Sequence, residues 1–377
     1  MPMYEYMKNG KTHYKYAFEV KEKNGKRKTI KKSGFTGKRE CRLAESLART
    51  EWEKGQYINP STLSYGEYVT EWLKNKKNIS EQSRYTNEGH LRNHIVPLLG
   101  FIPLQKLTYE DIESFVEELH EKKLADGTIK KIFNLVQTSL KSATTKELIL
   151  RNPIDKLDAS SKPKSSKPKI DYWTLEEVQK FLSGLNHRLR ILFVLAIYTG
   201  MRRGEILGLK WKNINFETRQ IRIVQTLGFG NKVKLGTKTA AGSRSITTSD
   251  YVIGELKTHL DLIKKEKEQA GELYNDDDFI ICDKFGKPLS TNNFHKFWMR
   301  KIETTDVRKI RFHDLRHTCA SLMFSAGIHP KIVQEMLGHS SIKVTLDMYS
   351  HMMPNMQADA ASAMQNLLEN TDKNSEE

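Results

Sequence analysis

The stretch from Asp158 to Asp171, "DASSKPKSSKPKID", limits what this chain can fold into more than any other. It is built almost wholly from Ser, Lys and Pro, so it is too polar to bury. Its two prolines also forbid a helix from running through it. One continuous core therefore cannot span the chain, and residues 158–172 read as an interdomain linker. At 377 residues the chain has room for two or three domains with sizeable cores. The linker lysines, Lys162 and Lys164 among them, suit either a segment laid along a phosphate backbone or a solvated spacer.

Upstream, hydrophobic periodicity separates two regions. "YKYAFEV" (14–20) puts Tyr14, Tyr16, Phe18 and Val20 on one face, which is a strand signature. After the turn "KNGK", "RKTIKKSGF" (27–35) reads as a second strand. A helix is expected from Lys38 to Lys54, with Leu43, Leu47 and Ala48 at helical spacing and Gly55 as its stop. Lys26, Arg27, Lys28 and Lys31 stud this hairpin, which is either a solvated basic turn or a surface that enters a DNA groove. Residues 62–157 read as all-helical. One helix carries Leu63, Tyr65, Tyr68, Val69, Trp72 and Leu73, and "EGHLRNHIVPLLG" is expected to stop at Pro97 and Gly100. A third helix is capped by Thr108, and a longer one turns Ile129, Ile132, Phe133, Val136 and Leu140 inward. Helices of this number and length form a compact bundle.

Downstream of the linker, Thr174 and Glu177 form a capping-box pattern, and "RLRILFVLAIYTG" reads as a buried helix ended by Gly200. Short strands are expected in 214–248 and at "FIICD", and helix follows helix from His313 onward.

Composition narrows the function. Lys+Arg total 62 against 46 Asp+Glu, a net charge of +16, which favours polyanionic partners. Residues 1–60 hold 15 Lys+Arg and 7 Asp+Glu, a net +8, so the excess is concentrated in a patch. Cys41, Cys282 and Cys319 are far apart with no CxxC spacing, which suggests a reducing cytoplasm. No apolar run reaches the roughly 20 residues of a membrane span, and no membrane partner is expected.

The chemistry concentrates near the end of the chain. "TGMRRGE" places Arg202 and Arg203 at a helix start, where backbone N–H groups favour anions. "HDLRHT" puts His313 and Arg316 three apart on one helical face. His339 follows in "LGHSS", and Tyr349 in "LDMYSH". Two arginines, two histidines and a tyrosine are what phosphoryl transfer to a phenol requires. Guanidiniums neutralise the non-bridging oxygens, imidazoles bond the phosphate or move protons, and the phenol is the nucleophile. The alternative use of His313 and His317, as metal ligands, lacks the acid of an HExxH motif and sets Arg316 beside the cation. No metal and no cofactor are expected.

These motifs, "TGMRRGEILGLKW" and "HDLRHTCASLMFSAGIHPKIVQEMLGHSSIKVTLDMYSH", resemble tyrosine recombinases of the phage and conjugative-element integrase family. The resemblance implies a mostly α fold with small β-sheets. Its parts would be a β-β-β-α arm-binding module (1–57), a helical SAM-like core-DNA-binding bundle (62–157) and an α+β catalytic domain with a C-terminal tail (173–377). Carried over by motif, Arg202, Lys238, His313, Arg316, His339 and Tyr349 are the catalytic set, with Tyr349 the nucleophile. Lys232 and Lys234 compete with Lys238 for the lysine role. Glu205 matches an acidic position that orients the site, Arg203 is a structural neighbour, and His317 is a buried or supporting residue. The implied activity is site-specific cutting and rejoining of DNA through a 3′-phosphotyrosine to integrate or excise a mobile element. It implies a homo-tetramer on double-stranded core and arm sites, with an excisionase and a host DNA-bending protein as further partners. A type IB topoisomerase and a non-catalytic DNA-binding regulator are the rival readings. The tail "MQADAASAMQNLLEN" (356–370) is amphipathic, suited to packing on its own domain or on a neighbouring protomer.

Overall fold

The computed structural model describes residues 3–21, 25–164, 170–236 and 243–349, and beyond them 361, 362, 364, 365 and 368. The chain divides into two compact units, Met1–Lys167 and Pro168–Glu377.

The first unit opens with an antiparallel sheet of order β1-β2-β3: β1 (Met3–Lys8), β2 (Lys11–Lys21) and β3 (Arg27–Phe35). Tyr16, Phe18 and Ile30 are buried with Cys41 and Ala48 of helix α1 (Lys38–Glu53). The residue pattern alone does not disclose β1, because Met3, Tyr4, Glu5 and Tyr6 give neither face a consistent apolar character. The signal was in the turn. Asn9 and Gly10 both take positive φ, 51° and 72°, as a tight two-residue hairpin requires. Helix α1 forms where expected but buries a different face. Cys41, Glu45 and Ala48 point inward, while Leu43 and Leu47 are 63% and 55% exposed. The small Cys and Ala side chains let the helix sit close on the aromatic sheet, and Arg49 covers Phe18 at 4.1 Å from the ring centroid.

The bundle that follows contains α2 (Tyr65–Lys74), α3 (Glu81–His90), α4 (Val96–Leu99), α5 (Tyr109–Glu121) and α6 (Asp126–Thr145). Capping boxes start α2 (Ser64 with Glu67) and α5 (Thr108 with Asp111). Tyr65, Ile95, Ile112, Phe115, Ile132 and Val136 lie in one core. Pro97 does not stop the helix, contrary to the sequence expectation. A π turn at Leu91–Ile95 carries the backbone from α3 into α4, where Pro97 occupies the first turn. The wider turn accommodates the missing N–H and the ring, so the helical run ends only at Gly100.

The second unit holds helices α7 (Leu175–Ser183), α8 (Arg190–Thr199), α9 (Arg203–Leu207), α10 (Asp250–Ala270), α11 (Thr291–Thr304), α12 (Asp314–Ser325), α13 (Pro330–Leu337) and α14 (Ile342–Tyr349). Its strands are β4 (Ile214–Asn215), β5 (Gln220–Ile223) and β8 (Arg244–Thr247) in one sheet, and β6 (Gln225–Leu227) with β7 (Val233–Leu235) in another. Trp173, Phe181, Phe193, Trp298 and Phe312 stack at the centre of the core. Helix α8 is buried almost throughout, with one departure: Tyr198 is 40% exposed and packs on Tyr251 at 5.1 Å. Segment 279–282 is buried but forms only isolated bridges, Lys210 to Phe279 and Cys282 to Pro288, in place of a regular strand. Among the described residues, no helix is long and apolar enough to cross a membrane.

Candidate active site

Three helix ends meet in the second unit, each fixed by a local sequence feature. Gly200 ends α8 with φ +61°, in the left-handed region that glycine tolerates. The chain then turns through Met201 to Arg202, the residue before α9. Gly204 and Gly208 let α9 press on β6; a Cβ at Gly208 would lie 2.8 Å from the Leu227 nitrogen. Helix α12 begins after His313. Helix α13 starts at Pro330 and is closed by Gly338 with φ +67°, which delivers His339 into the interior.

Hydrogen bonds tie these ends together. Arg316, buried on α12, donates from Nη1 to the Gly200 carbonyl (2.7 Å). Arg202 donates from Nη2 to the Gly338 carbonyl (3.1 Å) and from Nη1 to Glu205 Oε1 (2.8 Å). Glu205 Oε2 accepts the Arg202 backbone N–H at 2.9 Å. His339 Nδ1 lies 2.9 Å from Thr345 Oγ1 of α14. Tyr349, the last residue of that helix, stands about one turn beyond Thr345. The backbone thus brings Arg202, His313, Arg316, His339 and the helix carrying Tyr349 to one place. Lys238 lies outside the described residues; Lys232 and Lys234 are exposed, Lys234 on β7 and Lys232 just before it.

Electrostatics fix the states of these groups. Burial raises the Glu205 pKa, but the Arg244 and Arg202 guanidiniums outweigh it and hold the carboxyl below its usual range. Partial desolvation, with His317 and the Arg316 guanidinium close by, lowers the His313 pKa to about 4, although the residue keeps solvent access. Burial, with Arg316 and Arg202, lowers His339 to about 3. Both imidazoles are therefore neutral at pH 7. His317, T-shaped against His313 at 5.4 Å, is also shifted down, chiefly by burial. Cys319, behind Arg316, is pushed up to about 12 by burial, so its thiol is no nucleophile at neutral pH. No three His, Cys, Asp or Glu side chains among the described residues are grouped to hold a metal ion. A cleft of about 700 Å³ opens beside Arg202 and His313, with Arg203, Lys309 and Arg311 among its lining.

Two residues at the site escaped the sequence reading. Arg244 donates to both oxygens of Glu205 (3.2 and 3.0 Å) and to the Met336 carbonyl (2.7 Å). Thr345 is fully buried against His339. No pattern marks either one: Arg244 is one cation among many, and Thr345 one polar position in a short helix.

The basic residues of the first unit divide by strand alternation. Arg27 and Lys31 point away from α1, opposite Lys21 and Ala17, with Lys15, Tyr4 and Tyr6 on the same open face. Lys28 faces α1 instead, with Nζ 5.9 Å from the Trp52 ring centroid. Lys26 is exposed just before β3, Lys162 is half-buried and Lys164 exposed. All of these lie in the first unit, and none belongs to the cluster around Glu205.

A model described as "Phage integrase family" matches residues 172–356, and one for the "Phage integrase, N-terminal SAM-like domain" matches 64–120. An "Arm DNA-binding domain" model matches 2–51. The chain belongs to the phage integrase family of tyrosine recombinases. This recombinase is 28% identical to a tyrosine recombinase XerC-like protein of Caldanaerobacter subterraneus subsp. tengcongensis, over 96% of this chain and 98% of that protein. It is 26% identical to the ICEBs1 integrase of Bacillus subtilis, over 96% of this chain and 99% of that one. Its fold is similar to the Tn1549 transposon integrase solved with a circular intermediate DNA (TM-score 0.67, 21% identity, covering 81% of this chain and 99% of that chain). It is also similar to the lambda integrase solved as a tetramer on a Holliday junction (TM-score 0.55, 19% identity, 90% and 96% covered). The integrase is thus a site-specific DNA recombinase.

Proposed function

We propose that this integrase breaks and rejoins double-stranded DNA with Tyr349 as nucleophile. The tyrosine oxygen attacks the scissile phosphorus, its proton passing to the neutral His313 imidazole, and a 3′-phosphotyrosine forms as the expelled 5′-oxygen takes a proton from Lys238 and leaves as a hydroxyl. A 5′-hydroxyl from the partner duplex then attacks the phosphotyrosine and gives its proton back to Lys238, while the tyrosine recovers its own proton from the imidazole. Each phosphodiester is exchanged for another, so the bond energy is conserved. Arg202 and Arg316 neutralise the non-bridging oxygens, and the neutral His313 and His339 hydrogen-bond them. Because His339 uses Nδ1 on Thr345, its contact with phosphate falls to Nε2.

The observation that carries this reading is the meeting of α8, α12 and α13, which sets Arg202 against Gly338 and Arg316 against Gly200. Residues 1–57 would hold arm sites through the open sheet face, 62–157 would grip the core site with the 158–172 linker along it, and 173–377 would carry catalysis. A homo-tetramer on paired sites, an excisionase, a host DNA-bending protein and action in a bacterial cytoplasm complete the proposal. Among its supports are the lambda and Tn1549 integrase structures, both solved as complexes with DNA.

The test is a duplex spanning the element junction, located by footprinting and nicked near the cleavage point. The wild-type protein should form an SDS-stable adduct with it, and Tyr349→Phe should form none while still retaining the DNA. Retention without an adduct in the wild type would leave the regulator reading. Relaxation of supercoils at unrelated sequences by a monomer would favour the topoisomerase reading.

A further inference from the structure

We propose that Arg244 is a positioning residue for strand cleavage, acting through Glu205 on Arg202 and through the Met336 carbonyl on the turn that carries His339. The inference rests on the roles proposed above for Arg202 and His339. The Arg244 side chain is only 7% exposed, and it enters the site from the start of β8. Its fork contacts Glu205 Oε1 and Oε2, while Nε holds the Met336 carbonyl at 2.7 Å. Met336 lies in the last turn of α13, just before the Gly338 turn to which Arg202 bonds. One guanidinium therefore joins β8, α9 and α13.

The chemistry explains why a second cation stands there. Glu205 is 1% exposed and carries a full charge. Paired with Arg202 alone, a buried carboxylate would take both arms of that guanidinium and compete with the substrate phosphate for it. Arg244 satisfies both Glu205 oxygens, so Arg202 spends one nitrogen on the carboxylate and one on Gly338, and stays 40% exposed. A lysine cannot reproduce this, because its single ammonium cannot bridge two carboxylate oxygens and a carbonyl with a planar fork.

The full-length variants Arg244→Lys, Arg244→Met and Arg244→Met with Glu205→Gln test this. Single-turnover adduct formation on the nicked junction duplex is measured at saturating protein, beside retention of the un-nicked duplex. Arg244→Lys should hold DNA within about twofold of wild type yet cleave roughly ten- to a hundredfold more slowly. Arg244→Met should be slower still, and adding Glu205→Gln should speed it, because the carboxylate that captures Arg202 is gone. A purely structural role predicts no such recovery. Wild-type cleavage by Arg244→Lys, or a double variant no faster than Arg244→Met, overturns the proposal. So does an Arg244→Lys protein that no longer retains DNA, since Arg244 would then serve the fold alone. Failure of the wild type to form an adduct would instead defeat the underlying reading of the site.

Discussion

His339 is the residue whose setting has the clearest consequence outside catalysis. Its folded pKa, about 3, lies well below the ordinary imidazole value. The native state keeps the ring neutral, whereas the unfolded chain takes up a proton near pH 6.5. Its contribution to stability is thus complete above pH 6.5 and is lost as pH falls toward 3. Between pH 7 and pH 5 the second unit should lose roughly 1–2 kcal/mol through this group. His339→Gln should flatten that dependence in thermal melts taken across the range; an unchanged acid slope would show that the ring is not held neutral. The same residue shows how far local pattern reaches. "LGHSS" marks a histidine after a helix stop, but the Thr345 contact that fixes the ring cannot be read from spacing.

At the scale of elements, Gly200 is an exacting position. Its φ of +61° disfavours any side chain, and a Cβ there would lie 2.4 Å from Leu337 Cδ2 and 3.3 Å from Cys319 Sγ. Gly200→Ala should cost roughly 2–4 kcal/mol, from left-handed backbone strain plus overpacking, as a fall in the denaturant midpoint. Because the Gly200 carbonyl holds Arg316, adduct formation should fall further than DNA retention. Helix α1 gives the opposite case. Leu43 and Leu47 are exposed, so replacing both with Gln should shift stability by no more than about 0.5 kcal/mol. A larger loss in a urea melt would mean the apolar spacing, and not the small-residue face, seats that helix. Element type was mostly legible because periodicity is local. The buried face of α1 and the passage of Pro97 were not, since each depended on a neighbour: an aromatic sheet in one case, a π turn in the other.

For the whole molecule, the two units have separate cores, joined through the Ser/Lys/Pro segment. Trypsin should cut first after Lys164 or Lys169, since the bonds after Lys162 and Lys167 precede proline. The two fragments should each keep a cooperative melt; a single fragment series with no folded product would contradict independent cores. Removing residues 1–57, with their surplus of positive charge, should reduce the slope of DNA affinity against salt, because fewer counterions are released. An unchanged slope would take the basic face of the sheet out of the DNA contacts.

The sequence by itself determined a break within the Ser/Lys/Pro segment, the helical character of most of the chain, and which residue types were candidates for moving a phosphoryl group. These follow from short-range rules: hydrophobic period, proline and glycine stops, and the spacing of His313 and Arg316. Only the tertiary structure decided which groups meet. Arg202 reaches Gly338 across 136 residues and Arg316 reaches Gly200 across 116. It alone disclosed Arg244, whose place depends on a buried carboxylate and a carbonyl from two other elements. Contacts of that kind come from closing long loops around a shared core, and no local pattern records them.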